Sequence, residues 1–310
     1  MKRLLLVLAG LLPALPAQAL VIEFDYTYDT RGFFTDLATG APIVERRALL
    51  EQAASFYSGF TDSLAAIAPQ AGDSWSVQIT QPSLGGPAIT LSNLSIAADT
   101  IRIYAGGSNS APGVLGFANT GFNLSASGSA AFVDAVTTRG QANAVGADAT
   151  DYGTWGGMIW FNAANAWFFD SDPAGLTPGN PDFLTTATHE IGHILGFGEA
   201  DSWRSQIDEN GYFTGANSVA AYGDRVPLDQ YGVHWASGTM STYAGLPQQT
   251  LMDPSTRSGT RELPTVLDYA GFTDIGWQVS AVPEPQHAAL FGMAALLVLA
   301  AARRRGRPPV

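Results

Sequence analysis

The sequence predicts a single α+β domain, and three observations support this class. Residues 22–28 alternate apolar and polar side chains, as a β-strand does. Residues 44–67 carry apolar side chains at mostly helical spacing without an internal proline. Further strand patterns precede a second helical pattern that begins near residue 183. The part of the chain between its two terminal segments is about 260 residues long, which is enough for one domain with a substantial core.

Each element before the second helix is predicted from its local pattern. The predicted elements are a strand at 22–28, a long amphipathic helix at 44–67, strands at 76–80 and 101–105, glycine- and serine-rich loops at 106–113 and 123–130, and a short apolar strand at 157–162. A polar connection at 162–182 then leads to the next helix.

That helix carries the pattern His189-Glu190-Ile191-Gly192-His193. Asp182 is suited to cap its start, and Gly196 or Gly198 to end it. Residues four apart share one face of a helix, so the two imidazoles can bind one metal ion. The intervening glutamate then faces an open coordination position, where it can accept a proton from water. Since the chain has only four histidines, the pattern indicates a catalytic zinc centre rather than incidental histidines.

A catalytic zinc ion usually has three protein ligands, so this helix needs a third donor from elsewhere. Two residues are open as that donor. Glu199 follows the second histidine by six positions and can bind through oxygen, whereas His234 lies next to a tryptophan further along the chain. His234 is favoured because a buried imidazole without a partner is costly.

Taken together, these segments resemble the metzincin clan of zinc proteases, and within it the leishmanolysin-type branch. In that branch an insertion separates HExxH from its third histidine, which implies His234 as the third zinc ligand and 199–233 as the insertion. The Leu-Met-x-Pro segment around Met252 resembles the Met-turn, which implies a methionine under the zinc. Residues 261–279 are also similar to the end of such domains. The chain departs from the short pattern HExxHxxGxxH at Glu199.

The resemblance implies an α+β zinc-protease domain. This fold has a twisted mixed sheet with long helices, an active-site helix with HExxH and a smaller C-terminal subdomain that contains the Met-turn. The resemblance also implies that the last strand before this helix, 158–161, borders the cleft; an ordinary core strand is the alternative. The implied activity is peptide-bond hydrolysis of a polypeptide substrate, with Zn²⁺ as cofactor and Glu190 as general base. The alternative function is a non-catalytic surface or extracellular-matrix protein that uses such a domain for adhesion.

Both ends of the chain carry signals for export. Residues 1–19 contain a basic start, a short apolar run and a small-residue cleavage site, which predicts a secretory signal peptide. Residues 281–310 contain Val-Pro-Glu-Pro, an apolar run at 288–302 and an arginine cluster, and resemble the PEP-CTERM sorting tail. This resemblance implies an exosortase-type partner, a transmembrane helix associated transiently with the inner membrane, and export to the envelope or exterior of a Gram-negative bacterium. The protease domain is then 20–280. A plain C-terminal anchor is the alternative for the tail.

The composition excludes several other functions. The formal net charge is −12, which argues against nucleic acid as a partner. Cysteine is absent, so a thiol nucleophile and disulfides are excluded. Asp170, Asp172 and Asp182 are candidates for a calcium site, but their spacing is not that of an EF-hand loop. Calcium therefore remains a possible cofactor with no assigned ligand.

Overall fold

The computed structural model describes residues 19–83 and 87–280, in which strands and helices are mixed along the chain. The strands, in chain order, are β1 (Val21–Asp25), β2 (Ser74–Ile79), β3 (Ile89–Ser92), β4 (Thr100–Ser108), β5 (Gly116–Asn119), β6 (Phe122–Ser127), β7 (Gly156–Asn162), β8 (Tyr212–Phe213), β9 (Val226–Pro227), β10 (Met240–Tyr243) and β11 (Leu246–Gln249). The helices are α1 (Val44–Ser55), α2 (Ala130–Thr137), α3 (Phe183–Ile194), α4 (Asp201–Arg204), α5 (Ala216–Tyr222) and α6 (Val266–Asp274), with a 3₁₀ turn at Pro173–Gly175. The predicted α+β class is confirmed.

The central sheet is mixed and has the strand order β1–β4–β7–β5. β1, β4 and β7 run parallel, and β5 runs antiparallel to β7. Every residue of β7 is buried, as expected for a strand with neighbours on both sides. The predicted strand at 157–162 is therefore confirmed. The expectation that 158–161 borders the cleft is wrong, because β5 pairs with β7 on its outer side and forms the edge.

Side chains pack against both faces of this sheet. On one face, Ile103 and Phe161 belong to a hydrophobic cluster with Leu50 of α1 and Ile191 of α3. On the other face, Trp160 belongs to a second cluster that includes side chains of β2, β3 and α2. Neighbouring residues of a strand point to opposite faces, so β7 contributes to both clusters. The sheet therefore carries α1 and α3 on one side and the smaller sheet β3–β2–β6 with α2 on the other.

The first helix is shorter than the predicted range 44–67. α1 ends at Ser55, and the chain then passes through a turn in which Tyr57 is fully buried. Beyond the turn, the Thr61 N–H donates to the Gln278 carbonyl oxygen at 3.0 Å. Hydrogen bonds to the C-terminal segment thus replace helical ones. The sequence shows apolar residues at helical spacing beyond Ser55 because the side chains of the turn, such as Tyr57, pack into the same core as the helix.

The two segments predicted as loops, 106–113 and 123–130, are partly regular. β4 continues to Ser108, and the second segment contains most of β6 and the start of α2. At Gly107 a Cβ atom would lie 2.6 Å from Cγ of Phe33, so this glycine permits close packing rather than a turn. β6 is mostly exposed, which explains a polar strand sequence.

The segment after α3 packs against α6 through aromatic side chains. Five fully buried rings are in contact, with centroids between 4.1 and 5.6 Å apart: Phe197, Trp203, Phe213, Trp235 and Phe272. Two of them, Trp203 and Phe213, lie in the predicted insertion 199–233. The insertion is therefore part of the core rather than an appended loop.

The two predicted export segments lie almost entirely outside the described residues. The signal peptide is described only at Ala19, and the tail at 281–310 is not described. In the described ranges, no helix combines the length and the apolar character that are needed to cross a membrane.

Candidate metal centre

The active-site helix of the sequence prediction is α3, and its start is firmly anchored. The Asp182 carboxylate accepts hydrogen bonds from the Thr185 N–H at 3.1 Å and from its hydroxyl at 2.7 Å. Arg261 forms an ion pair with the same carboxylate at 2.8 Å. Asp182 is thus the predicted N-cap. Every residue of α3 is buried, so the helix holds its histidines in a fixed orientation.

Three histidine side chains converge beside α3. His189 and His193 lie one helical turn apart, with their Nε2 atoms at 3.1 Å. His234 comes from a loop 41 residues later and places its Nε2 atom 3.0 Å from that of His193. One ligand atom from each residue lies within 4.8 Å of the others, so the three could hold a metal ion. The structure therefore brings together the three predicted metal ligands.

The second ring nitrogen of each α3 histidine has an acceptor in the backbone. Nδ1 of His189 lies 2.8 Å from the Leu251 carbonyl oxygen, and Nδ1 of His193 lies 2.9 Å from that of Phe197. A carbonyl only accepts, so both neutral rings carry their proton on Nδ1 and leave Nε2 unprotonated. Two lone pairs then face each other at 3.1 Å without a proton between them. A cation bound by both nitrogens resolves this contact, so the donor set fits a metal ion.

Burial keeps these imidazoles neutral. It lowers the pKa of His189 and of His193 to about 3, and the charge of a neighbouring histidine adds to each shift. Burial and His193 lower the pKa of His234 to about 4, against the opposing effect of Asp229. Metal ions bind the neutral form of imidazole, so the low pKa values suit a metal site.

Glu190 and the three histidines line one cavity. This cavity has a volume of about 420 Å³. The Glu190 side chain is almost buried, and this burial raises the pKa of the carboxyl to about 8. Gly116 of β5 lies directly opposite, because a Cβ atom there would be 2.9 Å from Oε1 of Glu190. The predicted general base therefore stands between the histidine cluster and the edge strand.

The walls of this cavity come from two segments that are distant in sequence. Residues 113–118, which include most of β5, form one wall, and residues 253–256 belong to the other. β5 is the edge of the described central sheet, and it was not predicted from the sequence. The cavity is thus an open cleft along a sheet edge, with the histidines and Glu190 inside it.

Met252 packs against α3 at the level of the histidines. Its side chain is fully buried, and a Cβ atom at Gly192 would be 2.8 Å from its Sδ atom. Gly192 lies between the two α3 histidines in sequence, so the methionine contacts the helix where they are presented. Its turn, residues 250–253, is closed by a hydrogen bond from the Asp253 N–H to the Thr250 carbonyl oxygen at 3.3 Å. Met252 thus lies in a tight turn against the helix that carries His189 and His193, and its role as a Met-turn stays a prediction.

Glu199, the alternative third ligand, has a different partner. Its carboxylate forms an ion pair with Arg204 at 3.2 Å, although it also lines the cavity. Within residues 19–83 and 87–280, the convergent group of possible metal ligands consists of the three histidines alone. The structure therefore favours His234 over Glu199.

The acidic residues considered for calcium have separate local roles. Asp170 and Asp172 accept hydrogen bonds from backbone N–H groups two residues further on, and Asp182 caps α3. In the described part of the chain they do not form a convergent group. No calcium ligand is assigned.

Two carboxylates that support the cluster were not predicted from the sequence. Oδ2 of Asp229 lies 3.1 Å from Nδ1 of His234, and Asp268 accepts hydrogen bonds from the N–H groups of Leu251 and Met252. Asp229 precedes His234 by five positions, so the sequence places an acidic residue close enough to His234 for this contact to be predicted. Asp268 is separated from its partners by 16 and 17 residues, and nothing in the sequence connects them.

Neither protein-family models nor curated proteins provide a relative for this chain. No protein-family model matches it, and no curated protein shows significant sequence similarity to it. Conclusions about function therefore depend on the motifs and on the geometry of the cavity.

Proposed function

We propose that this chain is a zinc-dependent endopeptidase of the metzincin type, resembling the leishmanolysin-type branch. The observation that carries the proposal is the convergence of His189, His193 and His234 in one cavity with Glu190. Three protein ligands are typical of a catalytic zinc centre, whereas structural zinc centres are usually closed by four. Glu190 is not needed to hold the ion, so its presence in the cavity favours a catalytic role.

The chemistry divides between the ion and the chain. A zinc ion held by the three imidazoles would polarise a water molecule and the scissile carbonyl group. The carboxylate of Glu190 would accept the proton of the attacking water and then donate it to the nitrogen of the leaving amine. The nucleophile is water rather than a side chain, so no covalent intermediate with the protein is needed.

β5 is the segment that we assign to substrate binding. It is the edge strand of the central sheet and lies along the cavity, with Gly116 next to Glu190. An extended peptide can add to such an edge through main-chain hydrogen bonds, which do not depend on its side chains. A polypeptide bound in this way would lie across the position of the general base.

We further propose that the protein is exported, with residues 1–19 as its signal peptide and 281–310 as its sorting tail. The exosortase-type partner and the transient contact with the inner membrane follow from the resemblance of the tail. The absence of cysteine removes any need for disulfide formation after export. Sequencing the N-terminus of the mature protein tests the first step. A start at Leu20 agrees with the proposal, and a start at Met1 contradicts it.

Hydrolysis of an unfolded protein by the chain from Leu20 onward tests the activity. The comparison is with Glu190→Gln, which keeps the size of the side chain but cannot accept a proton. We expect the rate to fall by about 10²–10⁴-fold, because this is the usual contribution of general acid–base catalysis. The zinc content of the two proteins is expected to be equal.

Two results would contradict these assignments. Equal rates for wild type and Glu190→Gln would exclude Glu190 as the base. No cleavage by a folded, zinc-loaded wild type would contradict the peptidase proposal, and the adhesion alternative would then be the better explanation.

A further inference from the structure

The loop 229–234 presents the third histidine, and a single carboxylate organises this loop. Oδ1 of Asp229 accepts hydrogen bonds from the N–H groups of Tyr231 at 3.2 Å, Val233 at 3.0 Å and His234 at 3.4 Å. The Asp229 N–H donates in turn to the His234 carbonyl oxygen at 3.0 Å. Both ends of the loop are thus joined, and three of its N–H groups point towards one carboxylate oxygen atom.

The second oxygen of the same carboxylate contacts the His234 ring. Oδ2 of Asp229 lies 3.1 Å from Nδ1. A carboxylate only accepts, so the proton of the neutral ring stays on Nδ1, and Nε2 faces His193 without a proton. The two side chains are 11% and 19% exposed, so water competes weakly for this hydrogen bond.

His234 differs in this respect from the other two histidines. His189 and His193 lie on a buried helix, and backbone carbonyls hold their Nδ1 protons. No single substitution of a partner side chain removes those acceptors. His234 lies on a loop, and the orientation and tautomer of its ring depend on Asp229.

We propose that Asp229 is a positioning residue of the metal centre: it holds His234 in the Nδ1-protonated tautomer and thereby makes the third Nε2 atom available to the metal. This inference rests on the zinc site of the proposed function, but not on peptide hydrolysis. Partners of this kind typically change metal affinity by about 10–100-fold when they are replaced.

The substitution Asp229→Asn distinguishes the roles of the two carboxylate oxygen atoms, because it replaces one of them with an NH₂ group and keeps the other. The carbonyl oxygen of asparagine can still accept from the three loop N–H groups, which favours the native loop. Its NH₂ group then faces Nδ1 of His234, so two donors would meet. The ring is expected to move its proton to Nε2, where the proton excludes the metal.

Asp274→Asn is the matched control. The Asp274 carboxylate also accepts backbone N–H groups, those of Asn217 and Ser218 at 2.8 Å each, and it contacts no histidine in the described structure. The same chemical change is therefore made at a carboxylate that shapes the backbone without touching the cluster.

The experiment uses the full chain from Leu20 and two measurements, neither of which needs a peptide substrate. Competition with a chelator gives the zinc affinity, and ¹⁵N NMR of the metal-free protein distinguishes Nδ1–H from Nε2–H rings. We expect Asp229→Asn to bind zinc about 10–100-fold more weakly and to contain one more histidine in the Nε2–H form than the wild type does. Asp274→Asn is expected to match the wild type in both.

Unchanged zinc affinity in folded Asp229→Asn would overturn the inference, and so would an equal loss in Asp274→Asn. If the asparagine variant does not fold, Asp229→Glu decides, because its carboxylate can still accept from Nδ1: we expect the Nδ1–H tautomer and zinc binding to be retained together or lost together, and a loss of zinc affinity in a ring that stays Nδ1–H contradicts the inference. A wild type that binds no zinc would contradict the proposed function, and the NMR comparison would still test the role of Asp229.

Discussion

At the scale of single residues, Glu262 carries a buried carboxyl group with an unsatisfied oxygen atom in the described structure. The residue is 1% exposed, and its Oε2 atom has no hydrogen-bond partner. Burial raises the pKa of Glu262 to about 7, and the negative charge of Asp253 adds to the shift. The folded protein therefore retains a proton at this residue in a pH range where the unfolded chain, with a pKa near 4.5, has lost it.

This difference in pKa predicts that Glu262 lowers the free energy of unfolding in a pH-dependent way, and that Glu262→Gln removes this effect. Since the folded-state pKa is the higher one, the free energy of unfolding falls as pH rises from about 4.5 to about 7, and then levels. We expect Glu262→Gln to match the wild type near pH 4.5 and to be more stable by about 1–3 kcal/mol above pH 7, at about 1.4 kcal/mol per unit of pKa. Urea unfolding in the presence of a chelator measures this stability difference without a contribution from metal release. A stability difference that does not vary with pH would show that Glu262 does not titrate in this way.

At the scale of elements, α6 and the turn 250–253 act as one unit through Asp268. This residue is fully buried and accepts hydrogen bonds from the N–H groups of Leu251 and Met252 and from the Trp235 indole, at 2.9–3.2 Å. The Leu251 carbonyl oxygen in turn accepts from His189, and Trp235 follows His234 directly. The start of α6 is thus joined to the backbone that supports two of the three histidines.

Asp268→Asn is expected to disrupt this connection. One of the two accepting oxygens becomes a donor, so at least two buried hydrogen bonds are lost, and we expect the free energy of unfolding to fall by about 2–4 kcal/mol. Zinc affinity is expected to fall as well. Thr265→Ala is the control: it removes the capping hydroxyl together with its hydrogen bond to Asp268, at a cost of about 1 kcal/mol, and leaves the hydrogen bonds from the turn to Asp268 in place. If both variants lose equal stability and bind zinc equally, Asp268 acts only as part of the cap.

Elements with strong local signals were predictable, and elements defined by distant partners were not. α3 begins at its predicted cap, Asp182, and β7 covers its predicted apolar run. β5 is four residues long and depends on pairing with β7, so its sequence carries no clear pattern of its own. The end of α1 was mispredicted because Tyr57 is buried from a turn. At the site, motifs predicted the three histidines and Glu190, whereas Asp268 is connected to them only through the fold.

At the scale of the whole molecule, charge distinguishes the cleft. The chain has 27 acidic against 15 basic residues. Glu190, Glu199 and Asp253 line the cavity, and within the described residues neither lysine nor arginine joins them. Arg204 is shared between Glu199 and Asp201 at 3.2 and 3.4 Å, so this exposed group keeps a net negative charge. The charge of a zinc ion would act at the histidines, beside Glu190, and would leave the more exposed Glu199 to act on substrate side chains.

If the chain acts as the proposed peptidase, this distribution predicts a preference for peptides with a basic residue at the position that meets Glu199. In a peptide series that carries lysine, alanine or glutamate at each position in turn, we expect one position where lysine exceeds glutamate in kcat/KM by about three- to tenfold. An exposed ion pair contributes about 0.2–1 kcal/mol, and a like-charge pair costs a similar amount.

High salt should reduce the ratio by screening, and Glu199→Gln should reduce it by removing the charge. Glu209→Gln makes the same change at an exposed residue outside the cavity and should leave the ratio unchanged. An equal ratio in wild type and Glu199→Gln would show that the cleft does not select by charge through this residue, even if the peptides are cleaved.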